Sequence, residues 1–359
     1  VLGDEEAEAV AAVLATGYLV NGPQVAALER GLADRCGVAH AVAVSSGTAA
    51  LHVLCTAKGL SIGDGVVVPA FGYPATANAV ELCGGRAQGA DVDPDTFALT
   101  PDTVLAAADD TTVGVLAVHP FGIPAPMAAL DALCQERGWW LLEDAACALG
   151  TDPDTWGSHP ACLSFHPRKT LTTAEGGAVL TDDDALGARV RMLRNQGTDV
   201  SVKGWNRFGA AGFNYRLSDV HAAIGVVQLG RLDGIIAKRR EVAGWYRQHL
   251  DTVDGVRWPR GFDRAGLSMQ SVVVEVMLGE RDAIIGTLAG HGVQTTIGGY
   301  ATFEQPYYVG KYGPGMGDRA SVSARLARRS LTLPVTHAMG EDDVNAVCEA
   351  ISTSIHVGS

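Results

Sequence analysis

Over its first 200 residues the chain alternates short apolar runs with stretches of helical period, and this rhythm restricts the fold more than any single motif does. The runs HAVAV (40–44), GVVVPA (65–70), RAQGADVD (86–93), TVGVLAVHP (112–120) and WWLLED (139–144) read as strands, with helices expected from Thr48, from Pro74, near Pro101 and near Met127. Strands separated by helix-length segments form βαβ units, whose strands lie parallel in one sheet. Ligands of such sheets bind beyond the carboxyl ends of the strands. The loops SSGT (45–48), PAFGY (69–73), HPFG (119–122) and EDAA (143–146) all fall there, so four loops are expected to converge on one site.

From Ser218 to Leu250 the period is helical throughout, with Ser218 or Asp219 as the cap, and the segment reads as one long helix linking two domains. After it come the alternating SMQSVVVEV (268–276), a helix around Ala283, a glycine-rich segment reaching Gly317, and a final helix from Glu341. KYGPGMGD (311–318) holds neither GxGxxG nor a P-loop and reads as a mobile loop. A large domain over residues 1–240 and a smaller one over 241–359 are expected, with no internal repeat.

Composition narrows the function. A hydrophobic share of 47% and 44 glycines suit an α/β enzyme rich in tight strand-to-helix turns. A net charge of −13, with no long Lys/Arg cluster, disfavours nucleic acid and anionic membrane as partners. No apolar run approaches the roughly 18 residues of a membrane span, and the acidic, amphipathic GDEEAEAVAAVLA (3–15) is unlike a signal peptide. The seven cysteines are scattered and form no CxxC pair, which reads as reduced core thiols in a cytoplasmic protein; no paired His/Cys spacing implies a metal.

Three motifs carry the chemistry. SSGT ends a strand and opens a helix, so its N–H groups and the helix dipole face any anion at that turn, although an ordinary hydroxyl-capped turn looks the same. Asp144 closes the apolar WWLL, where a partly desolvated carboxylate needs a cation: either a structural ion-pair partner or a protonated pyridine nitrogen. Lys169 follows beyond the strand-like CLSF (162–165); a desolvated amine in a cleft is expected to lose basicity and to condense with an aldehyde. Each alone has a bland explanation. In this order on a parallel sheet they are the three anchors of pyridoxal 5′-phosphate (PLP).

The chain also resembles the DegT/DnrJ/StrS family of sugar aminotransferases, a branch of the fold-type I PLP enzymes. The resemblance runs from GYLVNGPQVAALE (17–29) through VSSGTAALH, VVVPAFGYPATANAV, DVDPDTF, HPFG, EDAACALG, SFHPRKTLTTAEGG (164–177) and LRNQGT to FNYRLSDVHAAIGVVQL (213–229) and SLTLPV (330–335). It implies a large domain with a mostly parallel central sheet flanked by helices, and a smaller C-terminal α+β domain. It further implies that Lys169 binds the cofactor covalently and moves a proton, and that Asp144 pairs the ring nitrogen. Gly47, Thr48 and Ser164 would hold the phosphate, Tyr73 would stack on the ring, and Asn214 would reach the phosphate of the partner subunit's site, making a homodimer with shared sites.

The implied reaction moves an amino group from L-glutamate to a ketone of a nucleotide-linked deoxysugar. TTAEGG, with Glu175, resembles members acting at C4; a ketocyclitol or another secondary-metabolite ketone is the alternative. A non-catalytic regulatory relative would not need Lys169, Asp144 and Ser164 together, and the dehydratase branch resembles this one with histidine at the lysine position. Three departures stand out: Cys147 where Gln or His usually contacts the cofactor's phenolic oxygen, Gly72 where threonine is common, and a segment between Gly150 and Ser164 about two residues short. His119 and His166 read as structural or substrate-contacting, Arg216 as a structural partner at a helix start, Tyr300 as a candidate pocket residue, and Asp109 and Asp110 as solvated.

Overall fold

The computed structural model describes residues 2–199 and 207–357. Two helices, α1 (Asp4–Thr16) and α2 (Pro23–Cys36), precede the strands β1 (His40–Val44), β2 (Gly65–Pro69), β3 (Phe71–Gly72), β4 (Arg86–Ala90), β5 (Thr112–Val118), β6 (Trp140–Asp144), β7 (Ala161–Ser164) and β8 (Gly177–Thr181). Between and after them lie α3 (Gly47–Ala57), α4 (Ala75–Leu82), α5 (Pro101–Ala107), α6 (Met127–Arg137) and α7 (Asp184–Arg194). Seven strands form one sheet in the order β1-β8-β7-β6-β5-β2-β4, parallel except for β8, which runs against both neighbours. The sheet is covered on both faces, and period-two alternation sends side chains to opposite cores. Val42 and Val44 join the cluster built on α3, whereas Ala41 and Ala43 join the one containing Val25, Leu28 and Leu32 of α2. Strands apolar on both sides are therefore what this architecture requires.

The expected single helix from Ser218 to Leu250 is broken. Capped by Ser218, α8 (Asp219–Gly230) ends at its glycine, and α9 (Leu232–Leu250) leaves at 63°. Arg231, at φ −103° and ψ 2°, lies outside helical geometry, and its guanidinium pairs with buried Glu6 of α1, which also accepts a 2.7 Å hydrogen bond from Gln228. The start of α9 packs on the sheet through Leu232 and Ile236. Its later residues Val242, Tyr246 and Leu250 belong to a separate core beneath an antiparallel sheet of Val256–Arg257, Val272–Val276, Ser330–Leu333 and Thr296–Ile297.

KYGPGMGD is not a loop. Pro306–Tyr312 and Gly315–Asp318 are helical, and Tyr307, Lys311 and Tyr312 all converge on Glu81 of α4. Asp109 is likewise paired, with Arg86. No single described helix is long and apolar enough to cross a membrane. All seven cysteines are free thiols; five are buried, while Cys83 and Cys147 are half-buried.

Candidate active site

The carboxyl ends of β1, β6 and β7 bring the expected residues together through sheet register. Val44 and Ser164 both face Gly177 across β8, and Asp144 lies opposite Cys162 on β7. Gly177 has to be a glycine: a Cβ there would stand 2.6 Å from the Ser46 backbone. Gly47 is as tightly placed, since its Cβ would meet that of Ser164 at 2.8 Å. The two glycines let the turn after β1 lie directly over the end of β7.

Ser46 caps α3, its hydroxyl accepting from the Ala49 N–H at 3.0 Å. The first N–H groups of a helix have no carbonyl partner within it. Those of Gly47 and Thr48 are the open donors here, with Thr48 exposed. The helix dipole adds its positive end at the same place. Beside this turn runs Asn214-Tyr215-Arg216: Tyr215 accepts from the Ser45 N–H at 2.9 Å, and Arg216 bridges to Val44. Asn214 is exposed and bridges through its backbone to Asn195, to whose side chain Arg216 also donates at 2.9 Å.

Lys169 lies on the long loop of the β7–β8 hairpin. The loop is closed by the Phe165 N–H donating to Gly176 and the Thr173 N–H donating to Phe165, and within it the Lys169 N–H bonds to the His166 carbonyl at 2.8 Å. Ala174 takes φ +67°, a left-handed conformation that a Cβ disfavours by about 1–2 kcal/mol and that marks the turn as constrained. Gln270, from the segment before Val272–Val276, donates to the Arg168 carbonyl at 2.9 Å and anchors the loop from outside.

The Lys169 ammonium donates to Cys147 Sγ at 3.1 Å. The expected loss of basicity is not what the site produces. Burial alone would lower the Lys169 pKa, but attraction to and hydrogen bonding with Cys147, together with Asp144 and Tyr73, outweigh it and hold it above the ordinary lysine value. Removing the Cys147 sulfur leaves burial less opposed, so Cys147→Ala is expected to lower the pH at which Lys169 becomes a free amine. Competitive labelling of the cofactor-free chain with an amine-directed reagent across pH reads this as an earlier rise in Lys169 modification; an unchanged or later rise contradicts it.

Asp144 is 6% exposed, accepting from the Thr76 hydroxyl at 2.7 Å and from the Ala146 N–H at 3.2 Å. Tyr73 is 71% exposed, its ring edge-on to Tyr300 at 6.2 Å. Pairing of β3 with Tyr300–Ala301 sets Tyr300 opposite Gly72 and so delivers it to Tyr73 from the far end of the sequence. His119 is fully buried, with Nδ1 accepting from the Ala125 N–H and Nε2 bonded to Glu143 at 2.8 Å, which marks a structural residue. Thr76 and Gln270 escaped the sequence reading, because nothing local pairs residue 76 with 144 or 270 with 168. Among the described residues no group of three or more His, Cys, Asp or Glu is placed to hold a metal ion.

These residues fit PLP. Open N–H donors at the start of α3 beside the half-buried Ser164 suit a phosphate, and buried Asp144 and half-buried Lys169 suit opposite ends of a pyridine aldehyde. A mostly parallel sheet bearing such a site at its carboxyl ends is that of the fold-type I PLP transferases.

The profile of the DegT/DnrJ/EryC1/StrS aminotransferase family matches residues 1–352. DesI, solved in the presence of its TDP-sugar product, is 34% identical, with 97% of this chain and 89% of that one aligned at a TM-score of 0.87. The aminotransferase TlmJ from Streptoalloteichus hindustanus is 32% identical (99% and 97% covered, TM-score 0.89), and DesV from S. venezuelae 30% (97% and 94%, TM-score 0.89). The chain belongs to the DegT/DnrJ/EryC1/StrS family and is a PLP-dependent aminotransferase.

Proposed function

We propose that the protein moves an amino group from L-glutamate to the C4 ketone of a nucleotide-linked deoxysugar. The observation that carries the reading is the Lys169 ammonium, held against Cys147 Sγ, close enough to Asp144 to feel its charge and set on the hairpin turn that ends in TTAEGG. Bound PLP supplies an aldehyde that takes up an amine and a ring that accepts an electron pair.

The chain's own residues do the rest. Gly47, Thr48 and Ser164 would hold the phosphate, Tyr73 would cover one ring face, and Asp144 would pair the ring nitrogen. Lys169 would hold the cofactor and serve as the acid and base that moves a proton. Cys147 Sγ, a weak acceptor where a stronger one is usual, receives the Lys169 N–H and would hold a cofactor oxygen only weakly.

In the same reading Asn214 completes the partner subunit's phosphate site, so the working unit is a homodimer; the exposure of Asn214 beside the α3 turn supports this. We place the large domain at 1–240 and the small one at 241–359, a boundary inside α9 between the residues that pack on each core. A cytoplasmic location fits the seven free thiols.

Glu175 supports C4. It is exposed at the lysine turn, within the TTAEGG that resembles members acting at C4. Similarity to DesI supports a nucleotide-sugar. With 4-keto-6-deoxy and 3-keto-6-deoxy nucleotide-sugars and glutamate, NMR of the product is expected to place the new amine at C4; amination only at C3, or turnover only of a cyclitol ketone, contradicts the reading.

A further inference from the structure

We propose that Thr76 is a positioning residue for Asp144: its hydroxyl, reaching over from α4, fixes the carboxylate plane that meets the cofactor's ring nitrogen. This rests on the role given to Asp144 above. The main chain of Asp144 is already held at the end of β6, paired with Val118 on β5 and Cys162 on β7, so only its side-chain torsions remain free. Of its two donors, the Ala146 N–H is two residues away and travels with the strand end. Thr76 is the donor from a different element, and its bond is the shorter, 2.7 Å against 3.2 Å.

A hydroxyl has one proton to give. The Tyr73 carbonyl, 3.5 Å from Thr76 Oγ1, is too distant to compete with Asp144 for it. Thr76 is 4% exposed, out of reach of bulk water, and its branched Cβ restricts the first torsion. The Cys162 thiol beside the site stays protonated, because burial and then the Asp144 charge push its pKa well up, so it sets no second negative charge against the carboxylate. Tyr73 lies one turn before Thr76, so a single helix start locates both the ring-face residue and the hydroxyl that orients the ring-nitrogen partner.

A donated hydrogen bond favours the charged carboxylate, and a charged carboxylate leaves the shared proton on the ring nitrogen. Loss of the hydroxyl shifts that proton toward oxygen.

Holoenzymes of Thr76→Val and Thr76→Ser, reconstituted with PLP labelled with ¹⁵N in the ring, test this. The valine variant keeps the shape and is expected to show a ring-nitrogen shift displaced toward unprotonated pyridine and PLP binding weaker by about 10- to 100-fold. The serine variant restores both. Wild-type shift and affinity in Thr76→Val, or a serine variant no better than valine, overturns the proposal; should the valine variant not fold, Thr76→Ala is read the same way. Asp144→Asn in the same measurement separates the two claims. If it moves the signal and Thr76→Val does not, Thr76 alone is misassigned; if it too leaves the signal unmoved, the role of Asp144 falls first.

Discussion

Lys169→Ala is expected to reduce turnover by about 10⁴-fold or more, because in the proposed function one side chain both holds the cofactor and carries the proton that the reaction must move. The loss should lie in kcat and persist with saturating PLP, since the N–H donors at the start of α3 and the Asp144 carboxylate are untouched. A small primary amine added to the variant should recover part of the rate by replacing the missing base. Steady-state release of the keto acid from glutamate, the proposed donor, measures both effects. Turnover within tenfold of wild type, or recovery by excess PLP alone, would show that Lys169 is not the reacting amine.

Asp144→Asn is the second large effect. The amide matches the carboxylate in shape, but it is neutral and cannot hold a proton on the ring nitrogen. The expected loss in kcat is about 10²-fold or more, or about 3 kcal/mol of transition-state stabilisation. Because the phosphate contacts proposed for Gly47, Thr48 and Ser164 lie on other elements, the variant should still bind PLP, though more weakly, which equilibrium dialysis measures separately. Wild-type kcat at saturating PLP would remove Asp144 from the chemistry and leave it a structural carboxylate bonded to Thr76.

Local pattern made the large sheet legible. The apolar runs at 40–44, 65–69, 112–118 and 140–144 became strands because a sheet covered on both faces accepts apolar residues at every position. The antiparallel β8 was harder to see: GAVLT follows the lysine loop without an intervening helix, outside the βαβ rhythm. The glycines where it starts are explained by what they touch, since Gly176 lies against Thr173 and Gly177 against Ser46.

Features set by distant partners left no local mark. The bend at Arg231 sits where that residue pairs with Glu6, at the other end of the chain. The helices around KYGPGMGD are pinned by Glu81, and composition alone favoured a loop. The basicity of Lys169 is the clearest case. Burial was inferable from its position after CLSF, but the acids gathered around its ammonium come from β6, from Cys147 and from Tyr73, and their summed attraction reverses the sign that burial alone would give.

Borohydride reduction of the holoenzyme, followed by digestion and peptide mass spectrometry, addresses the central claim most directly. The account predicts one reduced pyridoxyl phosphate group per chain, carried on Lys169 in the peptide SFHPRKTLTTAEGG and absent from Lys169→Ala. A cofactor fixed to any other lysine, or still attached in the alanine variant, would contradict it.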